Sequence, residues 1–347
     1  MKNKLLIAIA GLLVLVAVII SVNRGEDRPT LFVYNWGDYI DENVIAQFED
    51  QYNVRVVYDT FSTNEDMYVK VTAGGSNYDV LFPSDYMIKR MIDEDLLEKI
   101  NLDNVPNYKF IDPTFKGWEH DPNNEYSIPY MWGTLGILYN KAMVNGGIDG
   151  WEDLWDKQYK KQILMVDSQR DAIGIALQML GYSLNSTVPA ELEEAKQALI
   201  AQKPLVLAYV IDEAKDKMVA GEAALALVWS GEAIYAMREN ADLDYVIPRK
   251  GSNIWFDGMV IPKTAQNKEL AEKFINFMNE VEIAAANAEY TGYSSPHIEA
   301  RKHLDPEIVN NKAAYPSQDD LVNCEVFVHI GEMLKEYDRI WTEIKAH

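Results

Sequence analysis

Cysteine and histidine are both scarce in this 347-residue sequence. Cys324 is the single cysteine, so neither an intramolecular disulfide nor a cysteine metal cluster can form. The five histidines contain no H-x-x-x-H pair, the spacing that brings two imidazoles to one helix face around a metal ion. We therefore expect no metal site.

The sequence also lacks the motifs of nucleotide-binding proteins and serine hydrolases. No G-x-G-x-x-G, no G-x-x-x-x-G-K-[ST] and no G-x-S-x-G occurs, and Gly74-Gly75 fits the end of a helix instead. These absences argue against a nucleotide cofactor and against a hydrolytic nucleophile. We expect a protein without a cofactor that is not an enzyme.

Basic residues are few relative to acidic ones. There are 32 Lys+Arg against 54 Asp+Glu, which gives a formal net charge of −22. A field of this sign repels nucleic acid and anionic lipid headgroups and concentrates cations. We expect no nucleic-acid partner, and a small organic cation is favoured over a phosphate-rich ligand.

The one long hydrophobic run lies at the N-terminus. Lys2 and Lys4 precede uninterrupted apolar residues over 5–20, a length close to that of a membrane-spanning helix, and the lysines predict a cytoplasmic N-terminus. The end of the run shows no A-x-A cleavage site, and no cysteine that could be lipidated follows it. We interpret residues 1–28 as a signal peptide or, more specifically, an uncleaved signal anchor. The rest of the chain is then exported to the outer face of the cytoplasmic membrane, in a periplasm or at the cell surface.

The exported part is long enough for two lobes of ordinary domain size. Short strand-like segments alternate with longer helix-like segments along it, which predicts an α/β class with a largely parallel sheet. We predict strands over residues 31–34, 54–58, 78–83, 135–139, 163–166, 206–210, 224–229, 245–248 and 255–262. The predicted helices cover 41–52, 62–71, 84–92, 151–155, 171–180, 191–201, 212–220 and 268–278, and two of the strands would cross between the lobes.

Aromatic residues and carboxylates recur together at the predicted strand ends. An alkyl ammonium needs carboxylates to neutralise it and flat apolar walls for its methylenes, and aromatic faces attract the cation as well. The pairs are Trp36 and Tyr39 with Asp38, Tyr86 with Ser84, Trp229 with Glu232, and Trp255 with Asp257, to which Asp171 and Tyr293 add one side chain each. This chemistry suits a linear diamine or triamine. It equally describes a sugar-binding protein or a glycosidase with two acids, and tyrosines can also bind ferric iron.

A set of motifs resembles the spermidine/putrescine-binding proteins of bacterial polyamine ABC transporters. The motifs occur in order between residues 31 and 315 and are Tyr34-Asn35-Trp36-Gly37-Asp38-Tyr39, Pro83-Ser84-Asp85-Tyr86, Asp112-Pro113, Asp121-Pro122-Asn123-Asn124, Ile128-Pro129-Tyr130-Met131-Trp132-Gly133, Leu180-Gly181-Tyr182-Ser183, Trp255-Phe256-Asp257 and Gly292-Tyr293. The resemblance implies a two-lobed, type II periplasmic-binding-protein fold with the ligand in the interlobe cleft. It also implies a monomeric receptor that binds putrescine or spermidine and delivers it to the permease subunits of an ABC transporter.

The resemblance further implies lobe boundaries and a ligand-binding set. Residues 29–134 and 258–302 would form the first lobe, and residues 135–257 and 303–347 the second. The implied ligand-binding residues are Trp36, Asp38, Tyr39, Ser84, Tyr86, Ser168, Asp171, Trp229, Trp255, Asp257 and Tyr293. The Trp and Tyr side chains would wall the methylenes, while Asp38, Asp171 and Asp257 would neutralise the amines.

Four positions depart from the family's spermidine-preferring pattern. Ser168 stands in place of a carboxylate, Asp171 in place of a glutamate, Gly37 in place of a small hydroxyl residue and Phe327 in place of a glutamine. The end of the site that holds an aminopropyl group thus loses polar partners. Putrescine, spermidine and a mixed preference all remain open at this point.

Overall fold

The computed structural model describes residues 28–74 and 76–347. The predicted signal anchor over residues 1–28 therefore lies almost entirely outside the described residues. Among the helices that are described, none is long and apolar enough to cross a membrane.

The first lobe begins with alternating strands and helices. Strands β1 and β2 are parallel over their full length, and β1 also pairs in parallel with the short β3. The β-branched and aromatic residues of β1 favour an extended buried strand, and Asp41 begins the helix that follows by accepting a hydrogen bond from the Asn43 N–H. The elements are β1 (Thr30–Trp36), α1 (Glu42–Tyr52), β2 (Arg55–Phe61), α2 (Asn64–Thr72), β3 (Val80–Leu81) and α3 (Asp85–Asp93).

One long strand belongs to both lobes. Strand β4 (Ser127–Asn140) has 14 residues. Its first part, up to Thr134, pairs with β9 (Ile254–Val260), and its last part, from Leu135, pairs with β7 (Leu225–Trp229) and β8 (Leu243–Val246). The two sheets are therefore joined through a continuous piece of backbone.

The second lobe repeats the alternation around its own sheet. Parallel pairing joins β5 to β6 and to β7. The remaining elements of this part of the chain are β5 (Ile163–Val166), α4 (Gln169–Leu180), α5 (Pro189–Gln202), β6 (Val206–Val210), α6 (Glu213–Val219) and α7 (Ser230–Glu239). Four helices follow β9, namely α8 (Lys268–Met278), α9 (Val281–Thr291), α10 (Pro306–Val309) and α11 (Leu334–Ala346).

The two joined sheets contain both parallel and antiparallel strand pairs, which corrects the expectation of a largely parallel sheet. The strand order is β2-β1-β3-β9-β4-β7-β5-β6, with β8 also paired to β4, and every pairing that involves β4 or β9 is antiparallel. The physical reason is that the chain crosses to the second lobe along β4 and returns along β9. Two strands that cross in opposite directions must pair antiparallel where they meet.

Apolar side chains cover both faces of each sheet. In the first lobe, Val44 and Phe48 of α1 pack with Phe274 of α8 on one face, and Met67 of α2 and Met87 of α3 pack on the other. In the second lobe, one face packs around Trp151 and Tyr337, and the other around Met218 of α6. Both sheets are rigid supports for the loops at their ends.

The predicted lobe boundaries remain a prediction. Residues 254–257, which those boundaries assign to the second lobe, pair with residues 131–134 in the same sheet as β1 and β3. Trp255 also packs in the same hydrophobic core as Leu31 and Val33. The strand pairing therefore favours a return to the first lobe at about residue 254.

Candidate ligand-binding cleft

A cleft of about 430 Å³ lies between the two sheets, at the ends of β1, β3, β5 and β7. Ligands of open α/β sheets bind where the loops at the carboxyl ends of strands leave such a crevice. All eleven residues of the predicted ligand-binding set line it, namely Trp36, Asp38, Tyr39, Ser84, Tyr86, Ser168, Asp171, Trp229, Trp255, Asp257 and Tyr293. The structure thus brings the whole set together, and their contact with a ligand stays a prediction.

The loop after β1 turns two aromatic rings toward the cleft. Trp36 is the last residue of β1, and its indole Nε1 donates a hydrogen bond of 2.7 Å to the Phe82 carbonyl at the end of β3. The next turn is made at Asp38, whose φ of 46° lies in the left-handed region. Tyr39 then points inward and is buried, while Asp38 stays exposed at the rim.

Asp257 lies at the centre of an aromatic cage. Trp255 and Asp257 are two residues apart in β9 and therefore project from the same face of the strand. The Tyr39 hydroxyl donates to Asp257 Oδ2 at 2.8 Å. The Tyr293 ring stands nearly perpendicular to those of Tyr39 and Trp255, with both centroid distances at 5.2 Å. Asp257 Oδ1 has no hydrogen-bond partner within the described part of the chain.

Burial makes the Asp257 carboxylate unfavourable without a cation. Desolvation raises the pKa of Asp257 to about 7, although the nearby Ser84 and the hydrogen bond from the Tyr39 hydroxyl favour the ionised form. Asp85 lies behind it and accepts hydrogen bonds from the backbone N–H groups of Phe256 and Tyr86, and burial raises the pKa of Asp85 to about 8. A cation that enters the cage would stabilise the ionised form of Asp257 and supply the partner that Oδ1 lacks.

A second carboxylate is positioned by the start of α4. Ser168 is the N-cap of that helix, and its hydroxyl donates to Asp171 Oδ2 at 2.6 Å. Burial raises the pKa of Asp171, while the hydrogen bonds of Ser168 and the proximity of Arg170 oppose the rise. Trp229, the last residue of β7, lines the cleft beside it. The second lobe thus offers the same chemistry as the first, a buried carboxylate next to an indole.

The chain belongs to the bacterial extracellular solute-binding proteins. The sequence profile of that family matches residues 43–316. A curated relative, the spermidine/putrescine-binding periplasmic protein of Escherichia coli, is 36% identical over 328 residues, which are 94% of either chain. The family that the motifs predicted is confirmed.

Two solved structures carry the same fold. A Listeria monocytogenes chain assigned to a spermidine/putrescine ABC transporter is 46% identical, with a TM-score of 0.89, over 91% of this chain and 98% of the other. The spermidine/putrescine ABC transporter substrate-binding protein PotD of Streptococcus pneumoniae is 42% identical, with a TM-score of 0.78, over 92% and 99%. The two-lobed periplasmic-binding-protein fold is therefore confirmed as well.

The end of the cleft at Tyr86 combines polar and apolar side chains in this solute-binding protein. The Tyr86 hydroxyl donates to Glu65 Oε1 at 3.1 Å, and Asn64 Nδ2 donates to the same hydroxyl at 3.1 Å. Phe327 meets the Tyr86 ring edge-on, and the Arg170 guanidinium lies 4.5 Å from the Phe327 centroid. Phe327 therefore contributes an apolar wall where the family's spermidine-preferring pattern has an amide.

Glu232 is a cleft residue that the predicted set omitted. The sequence placed it beside Trp229 at a strand end, but the family motifs did not include it. It is 6% exposed in the structure, lines the cleft and has a pKa raised by desolvation to about 8, partly offset by Lys215. Its spacing of three residues from Trp229 was the signal that could have found it.

The cleft carries a large excess of carboxyl groups. Its lining contains the cations Arg170 and Lys215. The carboxyl groups of the lining are those of Asp38, Glu65, Asp85, Asp171, Asp212, Asp216, Glu232 and Asp257. No group of three or more side chains that could hold a metal ion occurs within residues 28–74 and 76–347. The lining suits an organic cation with a hydrophobic body.

Proposed function

We propose that this protein is an extracytoplasmic receptor that binds a linear polyamine and delivers it to the permease of an ABC transporter. Membership of the solute-binding family and the two-lobed fold support the receptor role. The carboxylate-rich, aromatic cleft supports the choice of a polyamine. The names of the E. coli and S. pneumoniae relatives point to the same ligands, putrescine and spermidine.

The observation that carries the proposal is the state of Asp257. A buried carboxylate with a raised pKa, one oxygen free and three aromatic rings around it is an incomplete ion pair. An alkyl ammonium completes it, since it donates to Oδ1 while its methylenes contact the rings. A desolvated cation over an aromatic face gains about 2 kcal/mol, and a hydrogen bond to a charged group contributes about 1.5–3 kcal/mol net.

The remaining residues of the set take complementary roles in this proposal. Asp171 receives a second ammonium, with Trp229 as its aromatic wall, while Trp36 and Tyr86 contact the alkyl chain. Because these residues come from both lobes, the ligand stabilises the closed form, and closure by hinge motion is what a permease recognises. We further propose that the receptor acts as a monomer at the outer face of the cytoplasmic membrane, held there by a signal anchor in residues 1–28.

Thermal unfolding against a panel of ligands tests the proposal. The panel is putrescine, cadaverine, spermidine, spermine, maltose and ferric citrate. A ligand at 100 times its Kd adds about 2.7 kcal/mol to the free energy of unfolding. We expect a large upward shift in Tm with a polyamine and none with maltose or ferric citrate. A shift with maltose or ferric citrate alone would overturn the polyamine assignment while leaving the receptor role intact.

A further inference from the structure

A lysine of the protein itself occupies one end of the cleft. Lys215 lies on α6 of the second lobe, and its side chain is 13% exposed. Its Nζ donates to Asp38 Oδ2, on the first lobe, at 2.8 Å. Asp38 belongs to the predicted ligand-binding set, where its role was to neutralise a ligand amine. In the structure that carboxylate already has an ammonium partner.

The surroundings of Lys215 hold its ammonium charged. Burial lowers the pKa of Lys215, but the hydrogen bond to Asp38 and the nearby Glu232 and Asp212 raise it by more, so the pKa lies above its usual value. The Nζ atom also lies 5.6 Å from the centroid of the Tyr235 ring on α7. The carboxyl groups of Asp38, Glu232 and Asp212 and one aromatic ring thus lie around the Lys215 ammonium, as they would around a ligand amine.

The two lobes approach closely at this end of the cleft. A Cβ atom on Gly37 would lie 2.8 Å from Asp212 Oδ2, so a larger residue at position 37 would require the Asp212 carboxylate to turn aside. Gly37 is one of the departures from the family's spermidine-preferring pattern. Its lack of a side chain leaves room for the Asp212 carboxylate, which lies near Asp38 and Lys215.

The other two carboxylates assigned to ligand amines, those of Asp171 and Asp257, form no ion pair with a lysine or arginine among residues 28–74 and 76–347. Asp257 accepts a hydrogen bond from the Tyr39 hydroxyl and Asp171 from the Ser168 hydroxyl, and both donors are uncharged. Of the three carboxylates that the predicted set assigns to ligand amines, Asp171 and Asp257 are therefore left to neutralise ligand ammonium groups. A diamine supplies two such groups, whereas a triamine brings a third charge that has to share the cleft with Lys215.

We propose that Lys215 takes the place of a third ligand ammonium and thereby makes the receptor prefer diamines to triamines. This inference rests on the proposed polyamine-binding function. A third ligand ammonium would meet a like charge in a poorly solvated site. To displace Lys215, the ligand would have to break its bond to Asp38, and the mostly buried lysine ammonium would lose its hydrogen-bond partner, which is unfavourable.

Substitution of the lysine tests the inference by calorimetric titration. Lys215→Met and Lys215→Gln remove the charge, and Lys215→Arg keeps it. Lys217→Met is the matched control, because Lys217 is on the same helix, pairs with Glu222 at 2.8 Å and does not line the cleft. The full chain of each variant is titrated with putrescine and with spermidine, and the ratio of the two Kd values is compared.

We expect the wild type to bind putrescine more tightly than spermidine. Lys215→Met should shift the ratio toward spermidine by about tenfold or more, which is 1.4 kcal/mol, since the vacated end can then take the third ammonium. Lys215→Arg and Lys217→Met should keep the wild-type ratio. If Lys215→Met does not fold, Lys215→Gln, with a polar side chain of similar length, gives the same comparison.

Two results would overturn the inference, and they can be told apart from failure of the proposed function. One is a wild type that prefers spermidine. The other is a neutral Lys215 variant that binds putrescine but keeps the ratio within twofold of the wild type. A wild type that binds no polyamine at all would refute the proposed function, and with it the diamine preference.

Discussion

Replacing Asp257 with asparagine should affect ligand binding and stability in opposite directions. The side chain keeps its shape, so the cage of Tyr39, Trp255 and Tyr293 should survive. Ligand binding loses a charge-assisted hydrogen bond of about 1.5–3 kcal/mol, which is a loss in putrescine affinity of about 10- to 150-fold. Calorimetric titration of wild type and Asp257→Asn measures it directly.

The ligand-free protein should gain stability from the same change at high pH. The folded-state pKa of Asp257 is raised from 3.8 to about 7, a difference that corresponds to about 4 kcal/mol. A raised carboxyl pKa contributes stability that is present below the unfolded pKa and is lost as the pH rises through the folded pKa. The asparagine cannot ionise, so its stability relative to wild type should increase between pH 4 and pH 8.

Thermal unfolding of both proteins at pH 5 and pH 8, without ligand, checks this expectation. Asp319→Asn is the control, because Asp319 is exposed and does not line the cleft. An Asp257→Asn protein that retains wild-type putrescine affinity would refute the assignment of Asp257 to an amine. A Tm difference from wild type that does not change with pH would refute the raised pKa.

Three further predictions concern the cleft and its support. Putrescine affinity should rise from pH 6 to pH 8, and binding near pH 7 should release protons. The reason is that the ligand favours ionised Asp257, whose pKa is raised to about 7 by burial. Calorimetric titration in buffers of different ionisation enthalpy measures the protons released, and a release of none would contradict the prediction. Trp255→Ala should weaken putrescine binding by about tenfold or more, while Trp341→Ala, outside the cleft, should leave the Kd unchanged. Trp151→Ala should lower the free energy of unfolding by about 3–5 kcal/mol, since this side chain is fully buried and donates to the Gly251 carbonyl; a denaturant titration that shows less than 1 kcal/mol would contradict it.

Much of the fold could be predicted from local sequence patterns. The predicted helix over 268–278 and strand over 206–210 match α8 and β6 in their bounds, because periodic apolar residues mark such elements clearly. Helix α9 had no counterpart in the prediction, since its alanine-rich sequence lacks a contrast between polar and apolar faces. Strand β3 proved shorter than predicted, since only Val80 and Leu81 pair with their neighbours.

The residues of the candidate site could likewise be predicted only in part. Trp36 could be predicted because it stands at the end of β1, and Trp255 and Asp257 because they belong to a motif of the resembled family. Lys215 could not be predicted as a cleft residue. Its position depends on how closely α6 approaches the loop after β1, a contact across 177 residues of sequence. Such a contact leaves no local pattern.

The place of β9 has a consequence for the order in which the protein can fold. This strand lies between β3 and β4, so an interior position of the first sheet is filled by residues 254–260, late in the sequence. During synthesis, β1, β2 and β3 emerge long before the strand that completes their sheet. The nascent first lobe therefore exposes unpaired strand edges until most of the chain has been made, and such edges are prone to wrong pairings. Both lobes can therefore be completed only late in synthesis, and the ligand cleft between them can form only then.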